Sequence, residues 1–302
     1  MKKLITLGAL ILGGHAIAQT PEAKVVPIQD NAIVSYYNFI QNHSGDTGDS
    51  VPSDIQQGFE NAVHSAQLET GNLIGECTFR FNGLQYDAIV ADPKRQRIRM
   101  HLQMKHLKRP YRDINSLKTE LEEEHTSILM ITNGGMYLEG NKPQGLLIAD
   151  DTICRPLDTI SSGYGNFYLQ PNGVFFVDDD GAGISTTGAF SKRFVPENKQ
   201  VHFATQSGPM LVIDGKIHPK FVHGSKNLHL RSGVGIMPDG KVVFIISRSN
   251  KTNFHDFAVI FKDVFGCANA LYLDGAISKM YLPHLRPDET GGNFGTMISV
   301  TE

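Results

Sequence analysis

The sequence predicts an α+β fold: a single mixed domain with a twisted, largely antiparallel sheet flanked by a few helices. Three observations carry that expectation. Short apolar runs alternate with polar residues and are separated by Asn-Gly, Asp-Gly and Gly-Pro turns. Few stretches carry a helical stripe. No internal repeat or low-complexity linker interrupts residues 72–302, which read as one unit.

Residues 1–18 are set apart as a targeting segment. Lys2 and Lys3 form a basic start, residues 4–12 an apolar centre, and Ala16-Ile17-Ala18 a small-x-small cleavage signature before Gln19. The apolar centre is too short for a comfortable membrane span, so cleavage and export to the periplasm or medium are expected, with no transmembrane anchor. An uncleaved anchor is the alternative. Without Lys2 and Lys3 the chain carries 26 basic and 31 acidic residues, which points to neither nucleic acid nor an anionic membrane as partner. Cys77, Cys154 and Cys267 are odd in number and allow at most one internal disulfide. Cys77 and Cys267 sit in apolar contexts as small buried hydrophobes, and the wide spacing of all three offers no metal-ligand pattern. No metal and no cofactor is expected.

Residues 19–71 read as an arm. Residues 42–49 are rich in Gly, Ser and Asp. Ser53 and Gln56 form a capping-box pattern, followed by a stripe of Ile55, Phe59 and Val63 on an amphipathic helix. Whether that helix packs on the main domain or decorates it stays open. No candidate site motif lies in the arm, so it is expected to be dispensable for chemistry.

The β pattern begins at Glu76. Cys77, Phe79 and Phe81 alternate up to an Asn82-Gly83 hairpin turn, and Tyr86, Ala88 and Val90 alternate on the return. Ile98, Met100, Leu102 and Met104 mark another strand. Ile114, Leu117 and Leu121 mark a helix capped by Asp113 or Asn115. Residues 127–132 are a near-continuous apolar run, as in a strand buried on both faces, and end at Asn133-Gly134-Gly135. Residues 145–148, 166–168 and 172–177 read as short strands. Asp178-Asp179-Asp180-Gly181 lacks the downstream glutamate of a calcium loop and reads as a solvated turn. Strands follow at 202–205, 210–213 and 242–246. Asn253 caps a helix whose Phe254, Phe257, Ala258, Phe261, Val264 and Phe265 face inward before Gly266. The last predicted strand, 270–273, delivers Asp274.

Three of these strand ends place polar residues where apolar runs stop, at Asn133, at Ser207-Gly208-Pro209 and at Asp274. If they cluster, they line one cleft. Asp274 is a carboxylate able to act as nucleophile, base or acid. Arg231 is suited to a phosphate, which it can bind bidentately without losing its charge, and Lys279 offers a second cation. Backbone N–H groups near Gly134-Gly135 and Ser207-Gly208 would complete an oxyanion site. Asn133 brings an amide donor and acceptor, and Ser278 a hydroxyl. Each residue also has an ordinary reading, as a turn, a cap or a salt bridge.

Four segments resemble the phosphodiester glycosidase family: Asn133-Gly134-Gly135-Met136-Tyr137, residues 204–212 around Ser207-Gly208-Pro209, residues 231–235, and residues 271–281 around Asp274. That family shares its domain with the mannose-6-phosphate uncovering enzyme. Residues 166–175 add a likeness to its exported bacterial YigE-like branch. The resemblance runs from about Cys77 to the C-terminus and implies a mixed α+β fold with Asn133, Ser207, Gly208, Arg231, Asp274 and Lys279 at site positions. It implies hydrolysis of a glycosyl-1-phosphodiester to a sugar and a phosphomonoester, with a small-molecule or polymer substrate. Many members carry Asp-Gly-Gly-Gly-Ser where this chain has Asp274-Gly275-Ala276-Ile277-Ser278, so the approach to the carboxylate is narrower here. Such reactions usually use two carboxylates; Glu139, Asp150 and Asp151 are candidates for the second. The competing class is a non-catalytic envelope protein that binds sugar phosphates or wall polymers. The absence of Trp weighs against a pure carbohydrate-binding module, although Tyr137, Phe167, Tyr168 and Tyr281 offer rings for stacking.

The first testable consequence concerns export. N-terminal mass analysis of protein recovered outside the cytoplasm is expected to find a start near Gln19; an intact Met1 would contradict the targeting reading.

Overall fold

Residues 84–91, 242–247 and 269–274 are mostly apolar on both faces, with Gln85, Asp87, Ser247, Asn269 and Asp274 as the exceptions. Strands of that kind need cover on both faces. In the computed structural model, which describes residues 22–43, 50–197, 200–275 and 277–302, they lie inside an eight-stranded sheet. Its order is Lys24–Val26, Gly75–Phe81, Leu84–Ala91, Val242–Ser247, Ser232–Ile236, Asn269–Asp274, Met210–Ile213 and Lys216–Ile217. The pairing is antiparallel throughout except at the edge, where Lys24–Val26 runs parallel to Gly75–Phe81. The targeting segment 1–18 and most of the stretch 42–49 lie outside the described residues.

The alternation along the central strands sorts two cores. Val243, Ile245, Ala270 and Tyr272 face helices. Val242, Phe244, Ile246, Leu271 and Leu273 face two smaller sheets. One of these has five strands, in the order Gly181–Thr186, Gly173–Asp178, Val201–Ser207, Leu147–Ala149 and Thr152–Arg155. The other has four: Met280–Tyr281, Ile128–Asn133, Met297–Thr301 and Arg97–His101. The α+β expectation holds, with the β content divided among several sheets rather than one. The Met297–Thr301 strand lies beyond the last one predicted and pairs with both Ile128–Asn133 and Arg97–His101. Residues 166–168 form a single 3₁₀ turn instead of a strand. Among the described residues, no helix is long and apolar enough to cross a membrane.

On the helical face, Asn253 caps the helix Phe254–Val259 by accepting the Asp256 N–H at 2.8 Å. The chain continues as a π-helical turn, Ile260–Val264, and ends at Gly266 with φ of 68°. Phe257, Ala258, Phe261, Val264 and Phe265 are buried, as their spacing predicts. The Ser53–Gly71 helix does not form the predicted capping box: no side chain caps its start, and Gln56 bonds Glu60 instead.

The arm packs on the main domain, which resolves what its sequence left open. Its first helix, Asn31–His43, buries Ile33 completely in the helix-side core. Tyr37 donates to Asp263 at 2.7 Å, and Thr70 donates to the Val264 carbonyl at 2.9 Å. Cys77, Cys154 and Cys267 are all free thiols; Cys77 and Cys267 are buried, and burial pushes the Cys77 thiol up to about 12.

Because Ile33 is sealed in the shared core, Ile33→Ala should destabilise the whole domain by about 2–5 kcal/mol. Urea unfolding of wild type and variant measures this. A negligible change would mean that the arm unfolds independently of the sheet.

Candidate active site

The site is built around an irregularity in the Asn269–Asp274 strand. Against Ser232–Ile236 its register runs Ala270 to Gly235, Leu271 to Val234 and Tyr272 to Gly233, and then Asp274 to Ser232. Leu273 is left without a partner, so the strand bulges by one residue. In a regular strand Asp274 would share the helical face with Tyr272. The bulge instead sets it opposite Ser232, on the side of the two smaller sheets.

The ends of three sheets meet there. Ser232 Oγ lies 2.7 Å from Ser278 Oγ and 3.5 Å from Asn133 Nδ2. Asn133 Oδ1 accepts the Lys279 N–H at 3.2 Å, tying together two neighbouring strands of the four-stranded sheet. Ser207 Oγ donates to the Leu273 carbonyl at 2.8 Å and joins the five-stranded sheet to the bulge. Asn133, Ser207, Asp274, Ser278 and the Lys279 backbone, predicted from separate segments, therefore converge. Asn133, Ser207, Ser232 and Ser278 are all buried.

Asp274 is partly buried, and its Oδ1 accepts the Gly275 N–H at 2.5 Å. Burial pushes its carboxyl above the usual carboxylate range, and the Gly275 bond offsets only part of that rise. The phenols of Tyr137 and Tyr272 feel its charge: each is raised first by burial and further by Asp274, with Arg231 opposing the rise at Tyr272. Gly275 is required because a Cβ there would collide with the Tyr272 hydroxyl.

Several sequence expectations need correction. Arg231 is completely buried and presents no face to a phosphate. Its Nε donates to the Thr252 carbonyl at 3.1 Å, its Nη2 to Asn227, and its Nη1 to the Tyr272 hydroxyl at 3.3 Å. The guanidinium also lies 3.5 Å over the Phe254 ring. It is a strut beneath Tyr272 and Gly275. The Lys279 ammonium pairs with Glu289 at 3.0 Å, and neither cation is among the groups that shift Asp274. The Gly134 and Gly135 N–H groups are not open to an oxyanion: they donate to the Thr296 carbonyl at 2.7 Å and to Thr205 Oγ1 at 3.2 Å. Gly208 packs against Asn172 and the Phe167 carbonyl, so its lack of a side chain serves protein packing.

The second carboxylate is not at Asp150 or Asp151. Asp151 sits 2.5 Å from His202, five residues and thus about 16 Å along the strand from Ser207. Glu139 is exposed just beyond the Tyr137–Leu138 strand. Ser232, Tyr272 and the position of Tyr137 beside Asp274 were missed. Ser232 stands inside the Arg231-Ser232-Gly233 motif, but only the cross-strand register brings it to Asp274.

The phosphodiester glycosidase family model matches residues 126–301, which hold every element of this site. The uncharacterised protein YigE of Escherichia coli K12 is 35% identical over 225 residues, covering 74% of this chain and 85% of that protein. The catalytic domain of zebrafish N-acetylglucosamine-1-phosphodiester alpha-N-acetylglucosaminidase, auto-inhibited by its pro-peptide, superposes with a TM-score of 0.47 at 15% identity, over 72% of this chain and 76% of that one. A hypothetical protein from Synechocystis superposes with a TM-score of 0.48 at 13% identity, over 76% and 64% of the two chains.

The electrostatics of Asp274 make a prediction with a definite sign. A carboxyl raised above its unfolded value contributes stability that is complete below the unfolded pKa and is lost as pH rises through the native one. Above the ordinary aspartate range the wild-type carboxyl therefore bears a cost of burial, in a buried charge or in the proton kept to avoid one, that Asp274→Asn lacks. The variant is expected to melt at a higher temperature than wild type at pH 7, with the gap closing below about pH 4, the ordinary aspartate range. Thermal melting across pH tests it; a variant less stable than wild type at pH 7 would assign Asp274 to turn capping.

Proposed function

Because the chain belongs to the phosphodiester glycosidase family, we propose that it hydrolyses a glycosyl-1-phosphodiester, releasing a sugar and a phosphomonoester, with Asp274 as the acid–base group. The observation that carries this reading is a single carboxylate, raised by burial, at the point where the family's motifs converge. A buried carboxyl without a cation beside it retains its proton more readily than an exposed one, which suits a general acid.

In the proposed reaction Asp274 gives its proton to the oxygen bridging sugar and phosphorus. The bond from that oxygen to the anomeric carbon breaks, and its electron pair stays with the phosphomonoester. Water then bonds to the anomeric carbon, and its surplus proton returns to the Asp274 carboxylate or to solvent. The phosphate is already a good leaving group, which lowers the demand on the acid; Glu139 is the remaining candidate from the sequence for a second carboxylate that would activate the water. Asn133, Ser207, Ser232 and Ser278 hold the strand ends rigid around Asp274, as a preorganised site requires. Lys279 is the predicted cation with solvent access, and exchange of its Glu289 partner for phosphate would bring a positive charge to the leaving group. Arg231 acts indirectly, by fixing Tyr272 under the Asp274 turn. With the targeting segment, the substrate is assigned to the periplasm or medium.

Turnover of a sugar-1-phosphodiester by Asp274→Asn should fall by at least about 10²-fold, the low end for a group in acid–base work. Melting of the same preparation establishes that it is folded. Near wild-type turnover would remove Asp274 from the mechanism. Binding of the diester without turnover by wild type would favour the envelope-binding class instead.

A further inference from the structure

A second polar cluster lies on the other, helix-covered face of the central sheet. His223 comes from the loop before Arg231, and His255 and Asp256 come from the first turn of the Phe254–Val259 helix. The two histidine Nδ1 atoms and a carboxylate oxygen of Asp256 lie within 4.8 Å of one another. His255 and Asp256 are each only 7% exposed. Both Nδ1 atoms are sealed from solvent and make no hydrogen bond. They stand 3.6 Å and 3.5 Å from Asp256 Oδ1, within ion-pair distance but long for a hydrogen bond. Two buried imidazole nitrogens that face one carboxylate without a hydrogen bond call for a partner that the described residues do not supply.

The surroundings decide what kind of partner. His223 Nε2 lies 2.7 Å from Asn38 Oδ1. An amide oxygen only accepts, so Nε2 carries the ring hydrogen and Nδ1 keeps its lone pair for the cluster. The other Asp256 oxygen accepts from Asn82 Nδ2 at 3.0 Å. The Tyr37 ring meets His255 edge-on, with centroids 4.8 Å apart. Ligands oriented by outer hydrogen bonds and an apolar wall are the usual setting of a protein-bound metal ion.

We propose that His223 Nδ1, His255 Nδ1 and Asp256 Oδ1 bind a divalent first-row transition-metal ion, zinc being the best match. Two neutral imidazoles with one carboxylate suit zinc better than calcium or magnesium, which prefer all-oxygen shells. Zinc bond lengths put tetrahedral ligand atoms roughly 3.3 Å apart, close to the two nitrogen–oxygen separations of 3.6 and 3.5 Å. The His223 side chain is 15% exposed, which leaves an approach for water as the fourth ligand. None of the three residues belongs to the motifs around Asp274, and the sequence hides the site because His223 is far from His255 along the chain. Through Asn38 the ion joins the arm helix to the loop and helix that carry its ligands, so its role is structural.

The mature protein, stripped of metal with a chelator, is titrated with Zn²⁺ alone by calorimetry and melted with and without the ion. One equivalent should bind, with a rise in Tm. Co²⁺ at the same site should give the visible absorption of a four-coordinate ion. The double variant His223→Gln/His255→Gln, confirmed folded by circular dichroism, is expected to lose the stoichiometric binding, the rise in Tm and the Co²⁺ spectrum. Wild type that binds no equivalent of Zn²⁺, or a variant that binds as wild type does, would overturn the proposal. Should the variant not fold, proton NMR of Co²⁺-loaded wild type decides. Two shifted, exchangeable imidazole N–H signals support two Nδ1-bound histidines, and their absence refutes them.

Discussion

The central sheet is covered on both faces, and most of the structure follows from that requirement. Strands such as Val242–Ser247 and Asn269–Asp274 have no solvated side, so polar side chains find room mainly where strands stop. Asn133, Ser207, Ser232 and Asp274 all stand at such ends. Two large charged exceptions, in the sheet and at its margin, are Asp87 and Arg231. Asp87, completely buried, is held by Arg248 at 2.8 Å and Arg286 at 3.1 Å. Arg231 has no carboxylate partner and is met by carbonyl oxygens, the Tyr272 hydroxyl and the Phe254 ring.

The bulge at Leu273 turns this packing rule into a site. One extra residue moves Asp274 from the helical face to the side where the smaller sheets end. It is partly desolvated there without gaining a cation, a costly arrangement for folding. Local cost at a rigid, well-bonded position is a common signature of a working group. The hydroxyl and amide bonds among Ser207, Ser232, Ser278 and Asn133 supply that rigidity, and the buried Arg231 supports it from below through Tyr272. A fixed cation beside Asp274 would have favoured its ionised form, whereas the observed environment favours its proton.

The two faces of the sheet have separate tasks. The side of the smaller sheets carries the convergent motifs of the glycosidase family. The helical side carries the arm, the Phe254 helix and the histidine pair. Arg231 lies between them, stacked on Phe254 and bonded to Tyr272, so the helical packing sets the floor beneath Gly275. Ile277 is 42% exposed in the turn after Asp274.

The sequence alone determined the class of fold, most strands, the caps at Asp113 and Asn253 and the identity of Asp274 as the carboxylate to watch. These depend on local chemistry: alternation, turn residues and capping groups act within a few positions of one another. The arm helix Asn31–His43, the strand Met297–Thr301 and the division into several sheets were not legible, since they depend on which distant surface needs cover. The site divided the same way. Motifs named the residues that meet, but Arg231 and the Gly134-Gly135 pair look open in sequence and are spent inside the fold. Only the tertiary structure decided that Ser232 faces Asp274, that no cation holds Asp274 ionised, and that His223 meets His255. Those facts rest on register, burial and the approach of distant segments, which no local pattern encodes.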